Sequence, residues 1–341
     1  MEVIMTDTNS NSQSIAEFII ETGDKFYKDC IAGDFVAINH SLNTYQNNHY
    51  ANLEHGFLLA TKHGHLKLTQ LFIGHQININ ARDYNGNTAL IEAAANHHFK
   101  IVKLLLNHNA DATITNHDGI NALLATCLGS TGSLTDSPNN SDINKQNIQA
   151  IVQILLEKDK NSIYAKDWKS GNTALHYAIF ISPQLVELIL QNSAHINEQN
   201  YAGLTPLMLA AISSDGDQIV PILFKYGASA DIKDPNGKIA LHYAVCNVKS
   251  LSAILDHTAD PNITDNNGRT ALYYAYLSYN SESIQLLKQR GGTTATIPVP
   301  NGELSNIFHQ VANPPPQPDR PPTIEDFEDL FAGEKITPSK R

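Results

Sequence analysis

The sequence predicts an all-α protein assembled as a solenoid of short helix pairs, and three observations carry that prediction. One phrase recurs along the chain at a near-constant interval. Each copy opens on a glycine that follows an Asp or Asn, the composition of a tight turn. Apolar residues at helical spacing come after it.

The phrase begins as Gly86-Asn87-Thr88-Ala89-Leu90 and Gly119-Ile120-Asn121-Ala122-Leu123. It returns as Gly171-Asn172-Thr173-Ala174-Leu175-His176-Tyr177-Ala178, Gly203-Leu204-Thr205-Pro206-Leu207-Met208-Leu209-Ala210 and Gly237-Lys238-Ile239-Ala240-Leu241-His242-Tyr243-Ala244. The last copy is Gly268-Arg269-Thr270-Ala271-Leu272-Tyr273-Tyr274-Ala275. The glycines are separated by 33, 52, 32, 34 and 31 residues, and the long interval is one repeat carrying an insertion of 19.

Each unit has a physical reading. Its glycine takes the positive φ that other residues adopt only at a cost. Thr or Asn two residues later is placed to cap the next helix. Ala, Leu and Ala then line one side of a short helix and let neighbours approach closely. A second helix follows with an apolar stripe, such as Ile101, Val102, Leu104, Leu105 and Leu106. Leu90, Leu123, Leu175, Leu207, Leu241 and Leu272 are the expected core.

A period near 33 with the phrase Thr-Ala/Pro-Leu-His-x-Ala resembles the ankyrin repeat. The resemblance implies a helix–turn–helix plus a β-hairpin-like loop per unit, stacked as a curved solenoid. Two weaker copies precede the clear ones. Ala60-Thr61-Lys62-His63-Gly64-His65 with Leu66, Leu68, Leu71 and Phe72 fits a helix pair whose turn glycine is replaced by Leu53. Phe26 to Leu42, with Gly33-Asp34 between its helices, fits a capping unit. The expected organisation is a flexible segment 1–23, an array of about six to eight units over 24–292, and a tail 293–341.

The insertion is expected over 129–147, and its polar part, Gly129 to Ser141, reads as a mobile loop between two helices. After Gly292 the pattern stops. Asn313 to Pro322 is an extended proline-rich linker. Beyond it Ile324, Phe327, Leu330 and Phe331 would share one side of a helix opposite carboxylates. Such a segment is disordered alone and folds either into a partner's groove or onto the chain's own last repeat.

Several function classes are disfavoured. A formal net charge of −11 opposes binding of nucleic-acid phosphate and adsorption to anionic lipid. Three separated cysteines make no CxxC pair, which fits a reducing cytosol. The N-terminus lacks the basic and apolar regions of a cleaved leader, and no apolar run reaches the length of a membrane span. The expected location is the cytoplasm, as a monomer. The 15 histidines form no HExxH, and no Cys/His quartet accompanies them. His65, His176 and His242 occupy positions where ankyrin histidines pack between units. No phosphate loop or nucleophile elbow is present, so no cofactor, metal or catalytic residue is assigned.

In ankyrin arrays a partner protein lies in the concave groove, lined by hairpin tips and first helices. Carried over position by position, the tip residues are Tyr84, His117, Trp168, Tyr201, Pro235 and Asn266. Trp168, Phe180, Tyr201, Leu204 and Ile212 are expected to form one apolar patch that does not serve the repeat's own packing. Against that stands a Trp168 folded back over the unit beneath it. With Phe327, Leu330 and Phe331 of the tail, these are the candidate partner-binding residues. The expected function is an adaptor that binds a protein. A narrower version is a bacterial effector of the type IV secreted kind working in host cytosol, after the acidic tail with Glu325, Glu328 and Glu334. The alternative is an inhibitor that occludes a partner enzyme.

Overall fold

Pairs of helices repeat through the computed structural model, which describes residues 25–44, 53–129, 141–258 and 260–294, and from the third pair on a hairpin turn precedes each of them. The tail candidates Phe327, Leu330 and Phe331 lie outside the described residues, as do 1–24.

Eight helix pairs are seen among the described residues. They are α1 (25–32) with α2 (Phe35–Thr44), α3 (Leu53–Lys62) with α4 (Leu66–Gly74), and α5 (Ala89–Ala95) with α6 (Phe99–Asn107). Next come α7 (Ala122–Gly129) with α8 (Ser141–Lys158), α9 (Ala174–Ala178) with α10 (Pro183–Gln191), and α11 (Pro206–Ile212) with α12 (Gly216–Lys225). The last two are α13 (Ala240–Tyr243) with α14 (Val248–Leu255) and α15 (Ala271–Leu277) with α16 (Ser281–Gln289). We number these pairs as units 1 to 8.

First helices of four to ten residues are too short to be stable alone, so stacking must hold them. The six core leucines named above are each at most 2 % exposed. Small residues beside them, Ala89, Ala93, Ala122, Ala174, Ala210 and Ala271, are buried too and set the close helix spacing.

The turns follow the chemistry of their residues. In units 3 to 8 the glycine sits at a φ between +71° and +81°. The Asp or Asn before it closes the turn with its own side chain. Asp83 Oδ1 accepts the amides of Asn85 and Asn87 at 2.9 and 2.7 Å, and Asp234 Oδ1 does the same for Asn236 and Lys238. Backbone bonds such as Asp83 N–H to Asn87 O (2.9 Å) complete a hairpin, with antiparallel bridges Arg82–Thr88 and Lys166–Thr173. Thr88, Asn121, Thr205 and Thr270 then cap their helices by accepting an amide three residues on. Unit 7 departs from the expected cap. Ile239 has no side-chain oxygen, and its amide instead donates to His242 Nδ1 at 3.1 Å.

The insertion also differs from expectation. Gly129 closes α7 rather than opening a loop, and a Cβ there would run into the carbonyl of Ala95 on α5. This glycine serves a close helix approach. Residues 141–147, expected within the insertion, form the first two turns of α8, which reaches 18 residues. Its buried Ile148, Ile151, Val152, Leu155 and Leu156 continue the helical stripe and draw the helix out. Residues 130–140 lie outside the described residues.

Candidate functional site: hairpin tips and first helices

The tips form a row because successive turns are hydrogen-bonded to one another. His117 N–H donates to Asn85 O (2.9 Å), Trp168 N–H to Asp118 O (2.8 Å), Tyr201 N–H to Ser170 O (2.8 Å) and Asn266 N–H to Asn236 O (2.8 Å). Each tip side chain lies on the turn glycine of the unit before it. A methyl group at Gly86 would sit 2.8 Å from His117 Cδ2, at Gly119 2.5 Å from Trp168 Cδ1, and at Gly171 2.6 Å from Tyr201 Cδ1. Trp168 thus has both covered and open surface. It folds back over Gly119, yet 63 % of it remains exposed. Tyr84 and Tyr201 are 84 % and 64 % exposed, and His117 is exposed as well. Four aromatic rings thus stand in succession on units 3 to 6.

The rest of the expected patch is placed differently. Phe180 and Leu204 are half-buried and pack against the core, so they do serve the repeat's own packing. Phe180 follows α9 at the corner into α10, and its ring turns inward where the chain reverses. Leu204, one residue past Gly203, is drawn under the hairpin as its amide donates to Asn200 Oδ1. Ile212 ends α11 and is half-buried. The structure joins Trp168 and Tyr201 to Tyr84 and His117 rather than to this apolar trio.

A second feature of this face was not anticipated. In units 5, 7 and 8 a tyrosine on the first helix donates to the turn aspartate: Tyr177 to Asp167 Oδ2 (2.9 Å), Tyr243 to Asp234 Oδ2 (2.5 Å) and Tyr274 to Asp265 Oδ2 (2.6 Å). Burial, then the adjacent carboxylate, push the Tyr243 and Tyr274 hydroxyls well above the ordinary tyrosine range. Lys238 lies over the Tyr274 ring at 4.6 Å and Arg269 over Tyr273 at 5.5 Å. The signal was present in the sequence. Where the turn residue is Asn116 or Asn200, the helix position holds Ala125 or Leu209 instead of tyrosine.

The histidines act between units, as expected. His65 Nε2 meets Ile31 O at 2.7 Å and His98 Nε2 meets Lys62 O at 2.9 Å. His176 accepts the Thr173 amide on Nδ1 (3.2 Å), which leaves Nε2 to donate to Leu204 O of the next unit (3.1 Å). His242 repeats this with Ile239 and Arg269 O. Burial holds His176 down at about 4, so it stays neutral near pH 7. Among the described residues no group of three or more His, Cys, Asp or Glu is arranged to hold a metal ion. No described helix is long and apolar enough to cross a membrane. Much of the acidity lies away from the repeats. Residues 1–24 hold five acidic and no basic side chains, and residues 295–341 hold seven acidic against four basic.

Short helix pairs stacked through glycine-turn hairpins, with an exposed row of tips, define a repeat scaffold of the kind that presents a surface to other molecules. Residues 57–106 match the family profile described as ankyrin repeats in many copies, and 182–265 and 207–297 match ankyrin repeats in three copies. The chain belongs to the ankyrin-repeat proteins. It is 35 % identical over 121 residues to ankyrin repeat protein FPV031 of fowlpox virus, covering 34 % of this chain and 35 % of that protein. Ankyrin repeat protein YahD of Escherichia coli is 26 % identical over 206 residues, 57 % of this chain and 90 % of its own. The chain thus spans about a third of the fowlpox relative. The human ASB11 ankyrin repeat domain superposes with a TM-score of 0.55 at 23 % identity, over 70 % of this chain and 99 % of that one. The ankyrin repeat domain of Bcl-3 gives 0.53 at 24 %, over 67 % and 96 %. Ankyrin repeats are protein-interaction modules, and the fold is typically a non-enzymatic scaffold.

Proposed function

We propose that this chain is an adaptor that binds a partner protein along its hairpin tips and the adjoining groove. The observation that carries the reading is the unbroken row Tyr84, His117, Trp168 and Tyr201 on four successive units, exposed in spite of its apolar area. Exposed aromatics lose favourable burial unless something covers them, and Trp and Tyr dominate interface hot spots. Rings anchored on glycines of a stacked array are also pre-organised, which lowers the ordering cost of binding.

The test is capture of partners from cytosolic lysate by wild type and by Trp168→Ala/Tyr201→Ala, with circular dichroism to confirm an unchanged fold. Loss of a partner in the double variant supports the reading; unchanged capture of every partner refutes it. Where the captured partner is an enzyme whose activity falls on binding, the chain acts as its inhibitor rather than as an adaptor. The narrower reading, an effector delivered to host cytosol, rests on the acidic residues of the tail. Translocation that survives deletion of 313–341 would end it.

A further inference from the structure

We infer that the aromatic tip row is a seat for a polyproline II segment, and that its occupant is this chain's own residues 314–322. The inference rests on the tip row being a binding surface, and it names the chemistry that surface takes.

The first argument is register. A polyproline II helix turns once every three residues, about 9.3 Å. Helices packed side by side lie about 8–10 Å apart, and the inter-turn hydrogen bonds carry the tips along in step. A polyproline ligand laid along the row therefore shows the same edge to every tip, one turn per unit. Aromatic-lined surfaces are the recurring seat for such ligands, whose backbone carbonyls have no internal partner. The Tyr84 and Tyr201 hydroxyls and Trp168 Nε1 donate no hydrogen bond among the described residues, so the row supplies donors as well as ring faces.

The second argument is that the chain carries a matching segment. Pro314-Pro315-Pro316-Gln317-Pro318-Asp319-Arg320-Pro321-Pro322 spans nine residues, about 28 Å as polyproline II. The three steps from Tyr201 through Trp168 and His117 to Tyr84 span about 24–30 Å. The described chain ends at Thr294 beside the last hairpin, where Thr293 O accepts from Thr270 Oγ1 and its amide donates to Asn262 Oδ1. The residues from 294 to 314 reach up to about 66 Å, against about 20 Å for the two units that separate this exit from Tyr201.

Charge supplies the direction. Lys169 and Asp118 are both exposed, and the Trp168 N–H to Asp118 O bond brings the backbones of their two turns together beside Trp168. Along the tail, Asp319 precedes Arg320. A segment arriving from unit 8 meets unit 5 before unit 4. It brings Asp319 to Lys169 first and Arg320 to Asp118 next, both attractive pairs. The docked tail covers the rings that a partner needs, so it competes with that partner at an effective concentration in the millimolar range.

Trp168 is the only tryptophan, so its emission reads the row directly. The comparison uses the full chain and a full chain with Pro314, Pro315, Pro316, Pro318, Pro321 and Pro322 replaced by Ser. Acrylamide quenching of Trp168 is expected to rise about twofold in the variant, as one ring face is uncovered. A peptide of residues 311–324, added at millimolar concentration, restores the wild-type value; the same peptide with the six serines does not. Lys169→Glu raises quenching in the wild-type tail, and Asp319→Lys added to it reverses the rise. Equal quenching in the two chains overturns the inference, even if the peptide binds in trans. Failure of the adaptor reading shows separately, as partner capture indifferent to Trp168→Ala/Tyr201→Ala.

Discussion

Acidification from pH 6.5 to pH 4 should weaken the middle of the array through one side chain, His176. Its ring is 1 % exposed between units 5 and 6. Nδ1 accepts the Thr173 amide and Nε2 donates to Leu204 O, so both nitrogens are used in the neutral form. A proton on Nδ1 would turn that acceptor into a donor facing an amide N–H. Burial opposes the charge first. The Leu204 carbonyl and Glu198 partly offset it, and Lys166 adds to it. The folded value falls to about 4 from 6.5. The sign follows: the unfolded chain takes up a proton as pH drops below 6.5, while the folded chain resists until about 4. Stability is therefore full above 6.5 and is lost progressively down to about 4. At about 1.4 kcal/mol per unit the loss is on the order of 3 kcal/mol. The assay is urea unfolding at several pH values, comparing wild type with His176→Gln, whose amide can accept and donate without titrating. Between pH 6.5 and 4 the midpoint of wild type should fall more steeply than that of the variant. Parallel curves would refute the assignment.

Other expectations follow from the same geometry. Leu175→Ala, at a 1 % exposed core position, should cost roughly 2–5 kcal/mol and split the unfolding transition of the array; an unchanged urea midpoint would contradict the packing. Tyr243→Phe removes a hydroxyl that donates to Asp234 and should cost about 1.5–3 kcal/mol, read from thermal or urea unfolding. Gly129→Ala forces α7 away from the Ala95 carbonyl and should cost about 1–3 kcal/mol. An equally stable alanine variant would mean that the two helices are not so close.

Most of the fold was legible in the sequence because an ankyrin unit is specified locally. A turn glycine with an Asp or Asn before it, a capping Thr and an Ala-Leu-x-x-Ala helix each act within a few residues. The leucines read as core are all buried, and the histidines read as inter-unit contacts make those bonds. The tips Tyr84, His117, Trp168 and Tyr201 were readable for the same reason, since each holds a fixed place before its glycine.

What the tertiary structure decided depends on the neighbouring unit, whose position no local pattern encodes. Gly129 looks like a loop residue until Ala95 of the preceding unit is set against it. Trp168 folds over the unit before it because Gly119 leaves room for its ring, and it stays 63 % exposed among the described residues. Phe180 and Leu204 looked free in sequence, yet stacking turns them to the core. The chain's residues determine each repeat and the order of the repeats. Which faces remain open to a partner is settled only when one unit is packed upon the next, because burial belongs to the pair and not to either member.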